Sequence, residues 1–282
     1  MGKNTSIAWC DHTFNPWWGC TKVSQACTNC YAERDSKRYG FKIWGDNAER
    51  RFFGDDHWKH PLDWNRWAST NGRRARVFCA SMADIFEDRP DLIGPRGRVF
   101  DTIKRTRNLI WLLLTKRLDE AAKFIPALWW DEWPDNVMLG CTVENNATAE
   151  ERIPKLLRLE TLITRPARTF LSCEPLFEEL DLEKFQDFKR IGWIICGGES
   201  GPGSRPMHPN HPRQLLLKAA QFGIPFFFKQ WGDSVTVSQA PSHILLLQDD
   251  KLGPYYRVGK KNAGALIDGK PYKEFPTWHR NK

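Results

Sequence analysis

Six short apolar runs, spaced about thirty residues apart, constrain the fold of this chain more than any other feature of its sequence. They are rich in β-branched and aromatic residues and cover residues 76–81, 109–115, 137–143, 168–173, 192–198 and 224–230. A half-exposed strand alternates apolar and polar residues, whereas a strand covered on both faces is apolar throughout. The six runs therefore predict buried strands of a parallel sheet.

Amphipathic segments lie between these runs and predict helices. They are GRVFDTIKRT, LDEAAKFIPALWW, TAEERIPKLLRLE and HPRQLLLKAAQFG. Strand and helix alternating at this spacing indicate right-handed βαβ units, so we expect an α/β fold, either a parallel (β/α) barrel or a doubly wound sheet. SIAWC at residues 6–10 predicts one further strand, and Gly and Pro residues after residue 232 predict an appended C-terminal hairpin.

The length of 282 residues suits one large domain or two small ones. The mean hydropathy of -0.56 is that of a globular protein exposed to water. The sequence has no run of about 18 apolar residues, and its first ten residues lack the apolar core of a signal peptide. We therefore expect a cytoplasmic protein with no membrane partner.

Seven of the eight cysteines, all but Cys10, fall into two groups. Cys79, Cys141, Cys173 and Cys196 each lie inside an apolar run and are predicted to be small core residues. Another three, at positions 20, 27 and 30, lie within eleven residues of one another. In a reducing compartment such a cluster binds metal more often than it forms disulfides, so these three are the candidate metal ligands.

Three clustered thiols suit two kinds of metal site. A structural zinc needs four ligands, and Cys10, His12 or His57 could supply the fourth. A [4Fe-4S] cluster can be held by three thiolates, which leaves one iron open to a small chelating ligand. Zinc sites usually combine two ligand pairs, and only Cys27 and Cys30 form a pair here, so the spacing favours the cluster. Zinc and metal-free cysteines stay open as alternatives.

Polar or ionisable residues follow almost every predicted strand, and we call them the rim residues. They lie, strand by strand, at Asp84, Lys116, Glu144 with Asn145, Glu174, Gly197-Gly198-Glu199-Ser200, and Lys229-Gln230-Trp231. Sites in parallel α/β proteins form at the C-terminal ends of the strands, so we expect a functional site there. Ion pairs that only stabilise the fold are the alternative interpretation.

The net charge of +8 suits a polyanionic partner. Residues 37–76 interleave Lys and Arg with Trp, Phe and Tyr. Cations that contact phosphates beside rings that stack on unpaired bases are typical of single-strand or flipped-base binding. This segment therefore predicts either a DNA or RNA surface or a Trp-rich structural cap.

Several blocks of the sequence resemble the phage Gp37/Gp68 (DUF5131) family. In chain order they are IAWCDHTFNPWWGCTKVSQACTNCYAE, FCASMADIFED, LLLTKR, GCTVEN, RIPKLL, FLSCEPL, GGESGPGSRPM and IPFFFKQWG. That family is similar to radical SAM enzymes, which typically carry C-x3-C-x2-C after the first strand of a partial βα barrel. The spacing here is C-x6-C-x2-C, with Tyr31 directly after the last cysteine.

The resemblance implies a partial or complete (β/α) barrel of the radical SAM type over residues 1–231, with an insertion at about 37–76 and an extension over 232–282. It implies that Cys20, Cys27 and Cys30 bind a [4Fe-4S] cluster whose open iron takes S-adenosylmethionine. The implied reaction is hydrogen abstraction from a nucleic acid base or nucleotide, in modification or repair. A flavodoxin or ferredoxin would supply the electron.

The resemblance also implies roles for residues near the strand ends. Those expected to bind S-adenosylmethionine are Ser81, Asp84, Thr142, Glu144, Asn145, Gly198 and Ser200. Those expected to face the substrate as catalytic residues are Lys116, Glu174, Glu199 and Lys229.

Two other functions stay open at this point. One is a zinc-stabilised, non-catalytic nucleic-acid-binding protein. The other is a metal-dependent nuclease, because the carboxylates of Asp84, Glu144, Glu174 and Glu199 could build a two-metal site.

Overall fold

The computed structural model describes residues 5–161, 169–236, 246–249 and 253–277. These residues divide into two compact units. The first comprises residues 5–141 and 158–161, and the second comprises the remaining described residues. The predicted boundary at residue 232 between a barrel domain and an extension stays a prediction.

The first unit contains six strands within the described residues. They are β1 (His12–Thr13), β2 (Trp17–Trp18), β3 (Arg51–Phe52), β4 (Ala75–Cys79), β5 (Leu109–Thr115) and β6 (Val137–Thr142), whose last residue is assigned to the second unit. Its helices are α1 (Tyr31–Arg38), α2 (Asp55–Thr70), α3 (Ile93–Arg105), α4 (Leu118–Phe124) and α5 (Ala127–Asp131).

β4 pairs in parallel with β1 on one side and with β5 on the other, and β5 pairs in parallel with β6. In this register Val77 of β4 lies opposite both His12 and Trp111. Every residue of β6 is buried, as is every residue of β5 but one. The continuously apolar runs therefore are strands covered on both faces, as predicted.

The second unit contains parallel and antiparallel strands. They are β7 (Thr169–Cys173), β8 (Ile194–Gly197), β9 (Phe226–Gln230), β10 (Ser234–Thr236), β11 (Leu246–Asp249) and β12 (Gly253–Arg257). Its helices are α6 (Asn146–Thr161), which ends in the first unit, α7 (Asn210–Phe222) and α8 (Lys260–Ala263).

β8 pairs in parallel with both β7 and β9. Together with β1, β4, β5 and β6, these make seven parallel strands among the described residues. β12 pairs antiparallel with β10 and β11, and β11 and β12 form a hairpin. The predicted α/β class with a parallel sheet and a C-terminal hairpin is confirmed. Residue 168 of the predicted strand over 168–173 lies outside the described residues, as do 237–245, 250–252 and 278–282 of the predicted extension.

Two predicted elements were wrong in detail. Residues 6–10 are not a strand, because the amide of Cys10 donates to the carbonyl of Ile7 in a turn, and β1 follows at His12. The predicted helix over 118–130 is two helices. Pro126 lacks an amide proton and disfavours helical geometry at Ile125, whose backbone is extended.

The four cysteines predicted to be core residues are all fully buried, which confirms that prediction. Among the described residues, no helix is long and apolar enough to cross a membrane.

Candidate functional site

The three clustered cysteines lie on one loop of the first unit, residues 19–30, which we call the cysteine loop. It leaves β2 through Gly19, whose φ of +116° is unfavourable for other residues. A Cβ at this position would lie 2.4 Å from the carbonyl oxygen of Ile43. The amide of Gly19 donates to the carbonyl of Met82, and the carbonyl of Cys20 accepts from the amide of Gly45. The backbone at the first cysteine is therefore closely packed.

The other two cysteines lie around the start of α1. Cys27 ends a short 3-10 helix, and its sulfur lies 3.7 Å from the hydroxyl of Ser24. Cys30 is the residue directly before α1. Tyr31 follows it and donates its hydroxyl proton to the carbonyl of Ser81 at 2.8 Å. None of the three cysteines forms a disulfide, and each is partly exposed.

The environments of the three thiols differ. Burial raises the pKa of Cys20 to about 12, although the charge of Arg117 acts to lower it. Burial also raises the pKa of Cys30, against backbone hydrogen bonds from Glu33 and Ala32. The pKa of Cys27 is lowered, because the amide of Val23, the charge of Lys116 and the Ser24 hydrogen bonds together outweigh burial.

A buried guanidinium contacts the first of these cysteines. Arg117, which is only 9% exposed, donates through Nη1 to the sulfur of Cys20 at 3.6 Å and to Asp84 Oδ2 at 3.1 Å. Its Nη2 donates to the carbonyl of Thr21 at 2.8 Å. One side chain thus binds a cysteine sulfur, the next carbonyl along the chain and a carboxylate.

The carboxylate of Asp84 accepts hydrogen bonds from four groups of the described residues. Its Oδ1 accepts from the amide of Phe86 at 3.0 Å and from the hydroxyl of Thr115 at 2.7 Å. Its Oδ2 accepts from the amide of Lys116 at 3.1 Å, beside Arg117. With 6% exposure, this carboxylate holds the end of β5 and the arginine that follows it.

A second buried ion pair holds the same loop. Arg50 and Glu87 form two hydrogen bonds, of 3.0 and 2.7 Å, and their side chains are 0% and 4% exposed. Arg50 also donates to the hydroxyl of Thr21 at 3.1 Å. Thr21 is therefore bound by two arginines, one at its carbonyl and one at its side chain.

Arg50, Glu87 and Arg117 were not among the residues predicted from the sequence. Glu87 lies in the segment FCASMADIFED, and Arg117 lies in LLLTKR. A charged residue close to an apolar run was the signal that the sequence offered for each. A buried charge needs a partner, but the local sequence does not show which residue that partner is.

The three cysteines of the loop suit a cofactor that is bound through three thiolates. All three cysteines are outside any disulfide and lie on one loop, and two cations oppose the negative charge of thiolates there. Arg117 contacts Cys20, and the charge of Lys116 acts to lower the pKa values of Cys27 and Cys30. As the side chains stand, however, no three His, Cys, Asp or Glu residues within the described ranges are grouped closely enough to hold a metal ion.

The residues considered as a fourth zinc ligand pack elsewhere. The ring of His12 stacks on Trp64 with the centroids 4.4 Å apart. The ring of His57 stacks on Phe14 at 4.9 Å, and its Nε2 lies 2.8 Å from the carbonyl oxygen of Asn15. Cys10 is buried, with its sulfur 3.7 Å from the carbonyl oxygen of Ile7.

Three of the predicted site residues of the first unit adjoin the cysteine loop through direct contacts or charge. Asp84 and Lys116 do so as described above. Ser81 receives a hydrogen bond from Tyr31 at its carbonyl and one from the side-chain Nδ2 of Asn15 at its hydroxyl, at 3.0 Å.

The predicted carboxylates of the second unit each contact a cation. Glu144 pairs with Arg152 at 2.9 Å, and both side chains are nearly fully buried. Glu174 pairs with Lys229 at 2.8 Å, where both side chains are partly shielded.

Glu199 pairs with the guanidinium of Arg205 and also accepts from its backbone amide at 2.8 Å. These contacts are of the kind expected for structural ion pairs, and they leave the predicted catalytic roles of Glu174, Glu199 and Lys229 as predictions.

The remaining predicted residues of the second unit hold backbone structure. The carbonyl of Thr142 accepts from Arg152 at 2.8 Å, and the side chain of Asn145 accepts from the amide of Thr148 at 2.9 Å in the first turn of α6. Gly198 donates to the carbonyl of Gln230 at 2.9 Å. Ser200 lies on the loop after β8 and is partly exposed.

The segment 37–76 is partly a cap. Trp58 and Trp64 of α2 are each 6% exposed and pack on the body of the first unit. Trp67 is 44% exposed, and the guanidinium of Arg73 lies 4.4 Å from the centre of its ring. Phe52, Phe53, Trp58 and Arg98 help to line a cleft of about 300 Å³. Some of the aromatic residues thus belong to the core, and others remain accessible beside cations.

A family model described as "Protein of unknown function (DUF5131)" matches residues 4–276. No curated protein matches the chain at a significant level. Among solved structures, the chain is similar to a spore photoproduct lyase double mutant with bound AdoMet and dinucleoside spore photoproduct. That match has a TM-score of 0.46 and 9% identity, and covers 88% of this chain and 68% of the other. A second spore photoproduct lyase mutant matches with a TM-score of 0.46 and 11% identity, over 91% of this chain and 71% of the other.

Proposed function

We propose that this chain, which belongs to the DUF5131 family, is a radical SAM enzyme that acts on a nucleic acid base or nucleotide. The observation that carries the proposal is the cysteine loop, on which three cysteines outside any disulfide lie beside a buried arginine that donates to one of them. A site of three thiolates is incomplete for zinc but sufficient for a [4Fe-4S] cluster with one open iron.

In this proposal Cys20, Cys27 and Cys30 hold the cluster. When bound, the cluster and S-adenosylmethionine supply one-electron cleavage of a sulfonium C–S bond and hydrogen abstraction from the substrate. A flavodoxin-like or ferredoxin-like protein is the proposed reductant. The roles proposed for this chain are to bind and orient these groups and to exclude water.

The contacts of the first unit refine the roles of its residues. Ser81 stays a proposed cofactor-binding residue, because Tyr31 ties it to the cysteine loop. Lys116 is a proposed cation toward an anionic group, since its charge already acts on two of the thiols. Asp84 accepts from four protein groups, so we assign it to holding Arg117 rather than to binding an ammonium group.

The site residues of the second unit remain proposals in the roles first expected of them. Those proposed to bind cofactor are Thr142, Glu144, Asn145, Gly198 and Ser200. Those proposed to be catalytic are Glu174, Glu199 and Lys229.

The proposed substrate class depends on charge and accessible rings. The chain has a net charge of +8, and Trp67 presents an exposed ring beside the guanidinium of Arg73. Exposed rings beside cations bind unpaired bases and their phosphates. The cleft at Phe52 and Phe53 supplies further ring surface next to Arg98.

Two other functions have less support from the contacts. For a zinc site, the fourth-ligand candidates named from the sequence pack elsewhere: His12 and His57 stack on core rings, and Cys10 is buried. A two-metal nuclease needs open carboxylates, whereas Asp84, Glu144, Glu174 and Glu199 each contact a Lys or Arg side chain.

Anaerobic reconstitution with iron and sulfide tests the proposal. The wild-type protein should bind about four irons and four sulfides per chain and should absorb near ~400 nm. With a chemical reductant it should cleave S-adenosylmethionine to 5'-deoxyadenosine. Cys27→Ala should lose the cluster, whereas the matched control Cys141→Ala, which changes a buried core cysteine, should retain it.

Three results would count against the proposal. One is a colourless wild-type protein that binds about one zinc. Another is a cluster that survives Cys27→Ala. The third is nuclease activity that requires Mg²⁺ or Mn²⁺ and is indifferent to that substitution.

A further inference from the structure

Arg117 is a buried cation to which the proposed reaction assigns no part. Its side chain is 8% exposed, and its guanidinium makes a contact of 3.6 Å to the sulfur of Cys20. We propose that Arg117 is the positioning residue of the cysteine loop, fixing Cys20 in place and donating a hydrogen bond to the sulfur that binds the cluster. This inference rests on the proposed function.

The guanidinium joins groups from two other parts of the chain, the cysteine loop and Asp84. Nη1 reaches the sulfur of Cys20 and the carboxylate of Asp84, and Nη2 reaches the carbonyl of Thr21 at 2.8 Å. A planar fork with several donors can satisfy these acceptors together, which a lysine ammonium on a flexible stem does less well. The contact at Thr21 places the cysteine that precedes it.

The arginine is itself held from two sides. The backbone amide of Arg117 donates to the hydroxyl of Thr115 at 2.8 Å, and that hydroxyl donates to Asp84 at 2.7 Å. Glu87 Oε1 lies 3.9 Å from Nη2 and is also bound by Arg50. The guanidinium therefore has a fixed direction, and its charge is balanced by two buried carboxylates.

A hydrogen bond to a metal-bound thiolate changes the properties of the metal group. The donor stabilises negative charge on the sulfur, and that charge increases when the cluster is reduced. Hydrogen bonds from a charged donor are about twice as strong as neutral ones. We therefore expect Arg117 to favour the reduced state, and Cys20 to be the thiolate through which it does so.

Three variants test this role. Arg117→Gln removes both the positive charge and the planar guanidinium. Arg117→Lys keeps the positive charge but lacks the planar guanidinium. The matched control is Arg74→Gln. Arg74 has a side chain that is 9% exposed, and it likewise donates to a carboxylate, of Asp135, and to two carbonyls.

The first measurement is a redox titration of the reconstituted cluster followed by its EPR signal. At a fixed potential, Arg117→Gln should lower the ratio of reduced to oxidised cluster by about tenfold, the lower end of the effect of losing a hydrogen bond to a charged group. Arg117→Lys should recover part of this loss, and Arg74→Gln should match the wild type.

The second measurement is hydrogen exchange of the metal-free protein, which needs no cluster. Peptides that cover residues 18–24 should exchange about tenfold faster in Arg117→Gln, because Thr21 loses the bond that holds its carbonyl. The same peptides should be unchanged in Arg74→Gln.

The inference is overturned if Arg117→Gln has the wild-type reduction midpoint, or if peptides 18–24 exchange at the wild-type rate. A wild-type protein that binds no iron would end the proposed function and the electronic part of this inference. Faster exchange of 18–24 in Arg117→Gln would then still support the positioning of Cys20, so the two failures are distinguishable.

Discussion

Gly198 approaches the backbone of Trp231 more closely than any residue with a side chain could. A Cβ at this position would lie 1.9 Å from the carbonyl oxygen of Trp231 and 2.5 Å from its carbonyl carbon. Gln230 holds the contact from both sides, since its carbonyl accepts from Gly198 and its side chain donates back to the carbonyl of Gly198 at 2.8 Å. Gly198 therefore has a packing role whether or not it also binds a cofactor.

Gly198→Ala should lower the free energy of unfolding by about 3 kcal/mol, because backbone atoms cannot move aside as a flexible side chain can. The control is Gly97→Ala in α3, where an added Cβ would meet nothing within 4 Å. That change should raise stability by about 0.5–1 kcal/mol through helix propensity. Urea unfolding followed by tryptophan fluorescence measures both. Equal stabilities for the two variants would contradict the close approach.

At the scale of elements, α2 combines two functions on different faces. Trp64 lies inward, 6% exposed, against the stacked ring of His12. Trp67, almost one turn later, is 44% exposed beside Arg73. The helix thus caps the first unit with one face and exposes the ring of Trp67 on the other, beside Arg73, which follows the helix.

Trp64→Ala should cost about 3–5 kcal/mol of stability, as is typical for removing a large buried side chain. Trp67→Ala should cost less, about 1–2 kcal/mol, because 44% of this residue is already exposed and less apolar area is lost from the core. Thermal unfolding of both variants checks the difference. A larger loss for Trp67→Ala than for Trp64→Ala would reverse the assignment of the two faces.

At the scale of the whole molecule, the net charge of +8 adds a long-range attraction to these local contacts. Such an attraction increases the affinity for any polyanion and decreases with salt, because bound counterions are released. Stacking on an exposed ring is much less sensitive to salt. The two contributions can therefore be separated by measurement.

A fluorescent single-stranded oligonucleotide should bind the protein with a log–log salt slope of about -0.7 per phosphate contacted. Trp67→Ala should weaken binding by about 5- to 100-fold, the range for loss of one stacked base. Leu128→Ala is the control, because Leu128 is an exposed apolar residue of α5. No binding at low salt, or equal losses in the two variants, would contradict a nucleic acid surface at α2.

Much of this architecture could be predicted because it depends on local pattern. Strands covered on both faces have to be apolar throughout, so β5 and β6 were evident from LIWLLLT and VMLGCT. The clustered thiols were evident from spacing alone. The turn at residues 6–10 was not, because an apolar run of five residues suits a buried turn as well as a strand.

The sequence by itself determined the order of the six buried strands and of the helical segments between them, the three thiols on one loop and the polar residues that follow almost every one of these strands. Only the tertiary structure decided which charges pair. Arg50 donates a hydrogen bond to Glu87, 37 residues away in sequence, and Arg117 donates one to Cys20, 97 residues away. A buried charge must find a partner of opposite sign or a good acceptor, but the fold alone brings distant residues within the few ångströms over which they bind. The sequence thus predicted Cys20 as a ligand, and only the structure shows the arginine that contacts it.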